Sequence, residues 1–163
     1  MLLLLALLSV AEAPGRPPVA PHPCPITVDL TGHLHAPFHQ GANACRVEVQ
    51  LRIAGWEDRL IAGALANAWH ESGWKAGIPG DGGASVGFWQ LHEKGLGAGM
   101  GDLRYDLRSS TARVIRSARR QGLNERTYRS AGQASEIFCR KVMRPKHLTR
   151  DIRIRRQTAS LVE

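Results

Sequence analysis

The spacing of apolar and polar positions predicts a mainly helical chain. Over residues 57–72, apolar side chains recur at the i, i+3, i+4 spacing of one helix face, and Gly73 follows as a stop signal. Residues 75–87 are rich in turn formers and predict a loop or small hairpin. Further helices with recognisable start or stop residues are predicted over 107–121, 133–143 and 149–162.

The segment 46–54 fits two patterns. Val47, Leu51 and Ala54 fall on one face of a helix. Alternation of apolar with polar positions also indicates a strand, through Val47, Val49, Leu51 and Ile53. On the residues alone, both alternatives stay open.

The N-terminal part resembles processing and linker segments. Residues 1–10 form an apolar run, and Ala11-Glu12-Ala13 has the small-x-small form of a signal-peptide cleavage site. The run lacks a basic start, and Pro14 would follow the cut. A packed helix, an uncleaved anchor and an extension from an early start codon are the alternatives. We divide the chain into a leader with a proline-rich linker (1–21), an irregular His/Pro-rich extension (22–45) and one domain (46–163).

The charge of the chain limits the classes of binding partner but does not identify one. The net charge is +8, concentrated between residues 108 and 156, while 43% hydrophobic residues indicate a globular chain. A basic surface favours anionic polymers: nucleic acid, anionic lipid, or a bacterial wall that carries teichoic acid and peptide carboxylates.

The three cysteines permit at most one intrachain disulfide. Cys24 with Cys45 would close a short loop, but pairing of either with Cys139, or three unpaired thiols, is also open. His33 and His35, with His22 and His39 nearby, invite a zinc hypothesis. No acid or cysteine pattern completes that set, so no metal is expected. No organic cofactor is expected either, because carboxyl groups can supply acid and base.

The segment 68–91 concentrates the residues that could carry chemistry. Glu71 ends the predicted helix, and Asp81 lies in a glycine-rich turn. An acid, a second carboxylate and aromatic rings in one short segment are what cleavage of a glycosidic bond requires. The segment also brings together small residues, aromatics and an amide: Trp74, Ser85, Gly87, Phe88, Trp89 and Gln90.

Glu71 has surroundings that would tune its acidity. Trp69 and Trp74 flank it, and aromatic neighbours with partial burial raise the pKa of a carboxyl group. The C-terminal end of a helix also disfavours negative charge. A raised pKa would let Glu71 donate a proton near neutral pH. A solvated glutamate at a helix end is the alternative.

Three groups of residues in this segment form a spaced motif, and weaker similarity follows towards the C-terminus. The motif is Glu71-Ser72-Gly73-Trp74, Gly80-Asp81-Gly82-Gly83 and Ser85-x-Gly87-x-x-Gln90-Leu91. The later matches are Gly99-Met100, Thr111-Ala112-Arg113, Phe138-Cys139, Arg144-Pro145 and Arg156-x-x-Ala159. With these residues the chain resembles the lysozyme-like superfamily over 46–163, most closely goose-type lysozymes, lytic transglycosylases and phage-tail lysozymes.

The resemblance implies a mainly α, lysozyme-like single domain with a short loop or hairpin beside an active-site groove, and it favours a helix over 46–54. It implies that Glu71 is the general acid. Asp81 would orient the attacking water, with a turn-capping aspartate as the equal alternative, and Glu93 is a weaker candidate. If only Glu71 acts, the reaction would be a lytic transglycosylation, in which the 6-hydroxyl of muramic acid replaces water.

The same resemblance suggests substrate contacts. Ser85, Gly87 and Gln90 would form the groove floor, although Gln90 could instead hold the loop. Trp74 and Trp89 would stack on sugar faces, with a place in the core as the alternative. The late tyrosine-containing motif of many lytic transglycosylases has no convincing copy here, which favours the goose-type or phage-tail branch.

We therefore expect a muramidase that cleaves the β-1,4 bond between MurNAc and GlcNAc, with peptidoglycan glycan strands as partner. A secreted, periplasmic or virion-associated location would follow. One alternative is a lysozyme-like structural protein of a phage tail or secretion assembly. Another is a basic wall or nucleic-acid binder without catalysis, although no nucleic-acid motif supports the latter partner.

Overall fold

The computed structural model describes residues 38–145 and 148–162. Within these ranges the chain is mainly helical, as predicted, with one small antiparallel sheet. The strands are β1 (Pro79–Gly80), β2 (Ser85–Val86) and β3 (Leu91–His92). The five α-helices of this part are α1 (Phe38–Ile53), α2 (Asp58–Ser72), α3 (Leu107–Arg120), α4 (Ala131–Phe138) and α5 (Leu148–Val162).

Helix α1 settles the ambiguous segment 46–54 in favour of a helix. It also begins at Phe38. The domain boundary at residue 46 and the irregular structure expected in the extension are therefore wrong over residues 38–45. Ala44, Val47 and Leu51 are fully buried and lie on one helical stripe that starts before residue 46. The leader and the rest of the 22–45 extension lie outside the described residues.

Helix α2 is the central element of the described domain. It packs against α4 and α5 as well as α1. The apolar stripe predicted over 57–72 is buried, and burial extends to the opposite face through Ala62, Gly63, Ala66 and Asn67. These small side chains let neighbouring helices approach closely, and Ala62 and Ala66 form an apolar cluster with residues of α4 and α5. A helix covered on both faces holds its last turn firmly in the protein.

The predicted stop at Gly73 is confirmed. Its backbone is left-handed (φ 58°), and its N–H donates to the Trp69 carbonyl at 2.7 Å. Trp74 is also left-handed (φ 61°), which is rare for an aromatic residue. The two residues turn the chain back under α2, where the Trp74 indole donates to the Leu65 carbonyl at 2.8 Å.

The hairpin predicted in the turn-rich segment is present and gains a third strand. The strands lie in the order β1-β2-β3, and both pairings are antiparallel. Val86 of β2 is paired with Leu91 of β3, and both side chains are buried. The sheet is thereby anchored to the helical core through its apolar side chains.

The later helices follow the predicted order with shifted ends. Asp106 caps α3 as predicted, because its carboxylate accepts from the Ser109 N–H at 2.7 Å. The helix predicted over 133–143 begins earlier, at Ala131, and changes after Phe138 into a π-helical turn, Cys139–Met143. This turn ends before Pro145, as expected from the steric effect of proline on the preceding residue.

The cysteines divide into two kinds. Cys45 is disulfide-bonded, which excludes three unpaired thiols, whereas Cys139 is a free and buried thiol. Burial raises the pKa of Cys139 to about 11. Cys24 lies outside the described residues. None of the described helices combines the length and the hydropathy needed to cross a bilayer.

Close packing of α2 on α4 makes Gly63 a test of the fold. A Cβ added there would lie 2.5 Å from the Ser135 backbone nitrogen and 2.9 Å from the Ala134 carbonyl carbon. We expect Gly63→Ala to lower the free energy of unfolding by about 1–3 kcal/mol, because backbone must move to make room. Urea unfolding measures the change.

Gly41→Ala is the matched control for this packing. Gly41 also lies in a helix, but an added Cβ meets no atom within 4 Å. There alanine should stabilise the chain by about 0.5–1 kcal/mol through helix propensity. Similar effects of the two substitutions would contradict the close contact between α2 and α4.

Candidate active site

Glu71 lies on the last turn of α2, with its side chain 20% exposed. One carboxylate oxygen, Oε1, accepts from Nη1 of Arg155 at 2.8 Å. Arg155 comes from α5, and its side chain is 6% exposed. The predicted acid therefore faces solvent with a small part of its surface and is paired with an arginine that the sequence did not reveal as its partner.

The pKa of Glu71 is raised above its ordinary value. Burial is the largest cause, because it disfavours the charged carboxylate. The charge of Arg155 and its hydrogen bond act in the opposite direction, while Asp151 and Asp81 add to the rise. The direction expected from the sequence is confirmed, and the cause is burial at the end of a helix that is covered on both faces.

The Arg155 guanidinium contacts α2 directly and is supported by α4 through Asn67. Its Nη1 also donates to the side-chain oxygen of Asn67 at 3.0 Å. Asn67 Nδ2 in turn donates to the Gly63 carbonyl at 2.8 Å and to Ser135 Oγ at 3.0 Å. Asn67 lies one turn before Glu71 on α2, and Ser135 lies on α4. This buried network connects α2, α4 and α5 and fixes the charge that faces Glu71.

Asp81 is exposed at the tip between β1 and β2. It adopts a left-handed backbone (φ 47°), and Gly82 and Gly83 after it do the same. Its Oδ2 accepts from Ser85 Oγ at 2.7 Å, which is a turn-stabilising contact. Its charge also raises the pKa of Glu71. The Ser85 contact fits the turn role of Asp81, and its role in orienting the attacking water stays a prediction.

The three residues predicted to form the groove floor are engaged within the protein. Ser85 is buried and donates to Asp81. Gly87 has a left-handed backbone (φ 81°), and any side chain there would collide with the Arg104 carbonyl. Gln90 Nε2 donates to the carbonyls of Ile78 at 2.9 Å and Gly87 at 3.0 Å. Gln90 therefore holds the loop, which was one of its two predicted roles.

The stacking role predicted for Trp74 and Trp89 is wrong in this structure. Both side chains are fully buried, as is Phe88. The Trp89 indole donates to Thr111 Oγ1 at 3.0 Å, so its polar edge is satisfied inside the core. Of the aromatic residues near Glu71, Trp69 is only partly buried, and its ring centroid lies 5.0 Å from that of Trp74.

Metal binding finds no support in the described residues, which contain no group of three potential ligands. His22, His33 and His35 lie outside them, and the side chain of His39 is not described. Comparisons with models of protein families, with curated proteins and with solved structures gave no match.

Removal of Arg155 should raise the pKa of Glu71 further, because the charge and the hydrogen bond of Arg155 both lower it. We expect this shift in Arg155→Met and a smaller one in Arg155→Lys, which keeps the charge. Carbon-13 NMR titration of the glutamate carboxyl groups measures it. Arg156→Met is the matched control, since Arg156 is exposed and pairs with Glu136. An unchanged or lower pKa of Glu71 in Arg155→Met would refute this electrostatic account.

The raised pKa of Glu71 also predicts how stability changes with pH. Above the ordinary value of 4.5 and below the folded-state pKa, the folded chain keeps a proton that the unfolded chain has lost. Stability from this group is therefore present at low pH and is lost as pH rises. Relative to Glu71→Gln, which cannot titrate, the wild type should lose up to about 1.4 kcal/mol per pH unit in this interval. Urea unfolding of both chains across pH measures the difference, and a wild type that gained stability relative to Glu71→Gln as the pH rises would contradict the prediction.

Proposed function

We propose that this chain is a peptidoglycan-cleaving muramidase with a lysozyme-like fold, which breaks the β-1,4 bond between MurNAc and GlcNAc. The observation that carries the proposal is Glu71, a partly exposed glutamate with a raised pKa at the end of a buried helix. The mainly helical architecture and the antiparallel loop that carries Asp81 support it. The resemblance of residues 71–91 to lysozyme-like proteins supports the choice of substrate.

In this mechanism Glu71 donates its proton to the glycosidic oxygen as the bond breaks. Burial favours the protonated form before the transfer. Arg155, 2.8 Å away, stabilises the carboxylate that remains afterwards. The opposing effects of burial and Arg155 keep both protonation states accessible, as a group that donates and regains a proton requires. No cofactor is needed, because carboxyl groups supply the acid and base.

The fate of the sugar cation depends on Asp81. If Asp81 directs a water molecule, the product has a reducing muramic acid end and the enzyme is a hydrolase. If Asp81 only stabilises its turn through Ser85, the 6-hydroxyl of the muramic acid adds to the cation, passes its proton to the Glu71 carboxylate and gives a 1,6-anhydro end. A secreted, periplasmic or virion-associated location would bring either enzyme to the wall, and phage-tail or envelope assembly proteins are candidate partners.

One observation favours a second candidate, a wall binder without catalysis. The Glu71–Arg155 pair could be structural, since both groups are largely buried and the network around them crosses three helices. The exposed arginines of α3 would then bind anionic wall polymers. Nucleic acid is a weaker partner on this view, because the described surface carries no recognisable nucleic-acid motif.

Digestion of purified peptidoglycan, followed by mass spectrometry, tests the proposal. We expect Glu71→Gln to lower the rate of fragment release by about 10²–10⁴-fold, because it removes the proton donor. Glu125→Gln is the matched control, an exposed glutamate after α3 with no proposed role in the chemistry, and should digest like the wild type. If the wild type releases no fragments, the enzyme proposal fails and the binding alternative takes its place.

The same products separate the two reactions. Reducing muramic acid ends that are lost in Asp81→Asn would indicate a hydrolase in which Asp81 positions water. Anhydro ends, formed equally by Asp81→Asn, would indicate a lytic transglycosylase and leave Asp81 a turn residue.

A further inference from the structure

A cavity of about 390 Å³ lies beside the loop that carries the candidate site. Three parts of the described chain line it: residues 89–92 with 95 and 96 from β3 and its flanks, Ser117 of α3, and residues 141–144 at the end of the π-helical turn. Neither Glu71 nor Asp81 lines this cavity. It is therefore a separate surface, and the muramidase mechanism does not use it.

Each of the two main walls of the cavity follows in sequence on a residue that interacts with Glu71 or its neighbour. The first wall follows Phe88, whose carbonyl accepts from Ser72 Oγ at 2.7 Å, and Ser72 is the neighbour of Glu71 on α2. The second wall belongs to the turn that begins at Cys139, a thiol whose pKa responds to the charge of Glu71. The π-helical turn also contacts α2 directly. The cavity and the last turn of α2 are thus connected through shared buried residues.

The lining combines positive charge with apolar surface. Lys141 and Arg144 are exposed residues of the π-helical turn, and no carboxylate is among the lining residues. The apolar part of the lining is Leu91, Leu96, Val142 and Met143. Such a cavity fits an anionic ligand with a small apolar body, since the cations can form charge-assisted hydrogen bonds with it.

Hydrogen bonds within the π-helical turn and on β3 position the polar groups of the cavity. The Arg144 N–H donates to the Cys139 carbonyl at 2.8 Å, which closes the π-helical turn. Arg144 has a left-handed backbone (φ 51°), and its Nε donates to the Lys141 carbonyl at 3.1 Å. Opposite them, His92 Nδ1 accepts from the Lys94 N–H at 3.1 Å, so the neutral ring carries its proton on Nε2 as a donor.

We propose that this cavity binds the carboxylates of the short acidic peptide that is attached to muramic acid. This inference rests on the proposed function and names the part of the substrate that lies beside the glycan. Its volume falls in the range of small-ligand pockets, about 300–1,000 Å³. Teichoic acid phosphates share the negative charge, but the partly exposed apolar side chains of Leu96 and Met143 match the alanyl methyl groups of a peptide better than a glycerol phosphate chain.

Calorimetric titration of the full chain tests this assignment. The Glu71→Gln background prevents turnover, and the two probes are a GlcNAc–MurNAc disaccharide with its peptide and a peptide-free glycan oligomer. In that background we expect Lys141→Gln with Arg144→Gln to weaken binding of the peptide-bearing probe by about tenfold or more, since two charge-assisted contacts are lost. Binding of the peptide-free probe should not change.

Arg126→Gln with Arg129→Gln is the matched control. It removes the same charge from exposed positions between α3 and α4 that do not line the cavity. We expect both probes to bind this control as they bind the background chain. Lys141→Gln alone, a change at an exposed residue, keeps the test open if the double variant fails to fold.

Several outcomes would overturn the inference. If the double variant weakens binding of both probes equally, or of neither, the cavity does not bind the peptide. A glycerol phosphate polymer whose binding depends on Lys141 and Arg144, while the peptide probe does not depend on them, would assign the cavity to phosphate. These outcomes leave wall digestion by the wild type intact, whereas failure of the proposed function appears as a wild type that releases no fragments.

Discussion

The burial of α2 on both faces is the constraint on which the rest of the structure depends. Small residues such as Gly63 and Ala66 let α4 and α5 pack closely on a face that carries little hydrophobic signal. The last turn of α2 is therefore held inside the protein, and Glu71 with it. Burial of a carboxylate costs free energy unless the group is protonated or paired. Glu71 meets both conditions in part, because its pKa is raised and it forms an ion pair with Arg155.

The ion pair itself depends on the same packing. Arg155 is oriented by Asn67, which is buried within α2 and bonded to Ser135 of α4. Removal of any of these helices from its place would leave a buried charge without its partner, an arrangement that costs far more than an exposed pair. The acidity of Glu71 is thus a property of three packed helices and not of the segment in which it occurs.

In the loop after α2, side chains that could bind a ligand are used to pack the core and to hold the loop. Trp74 and Trp89 could stack on sugars by their chemistry, but the left-handed turn at Gly73 and Trp74 directs the chain back under α2, and the indoles fill the core. Gln90 uses its amide to hold the loop. The positive side chains that line the cavity beside this loop come from a distant part of the chain and are Lys141 and Arg144.

Features that depend on neighbouring residues could be predicted from the sequence: the helical order, the stop at Gly73, the Asp106 cap and the hairpin. The direction of the pKa shift of Glu71 was also predicted, but its main cause is burial by packed helices. Periodicity and turn chemistry act over a few residues, so they can be recognised along the chain. The earlier start of α1, the burial of Trp74 and Trp89, and the Arg155 partner of Glu71 were decided only by the tertiary structure. A pattern shows which face of an element is apolar, but which residues cover it depends on packing between elements that lie far apart in the sequence.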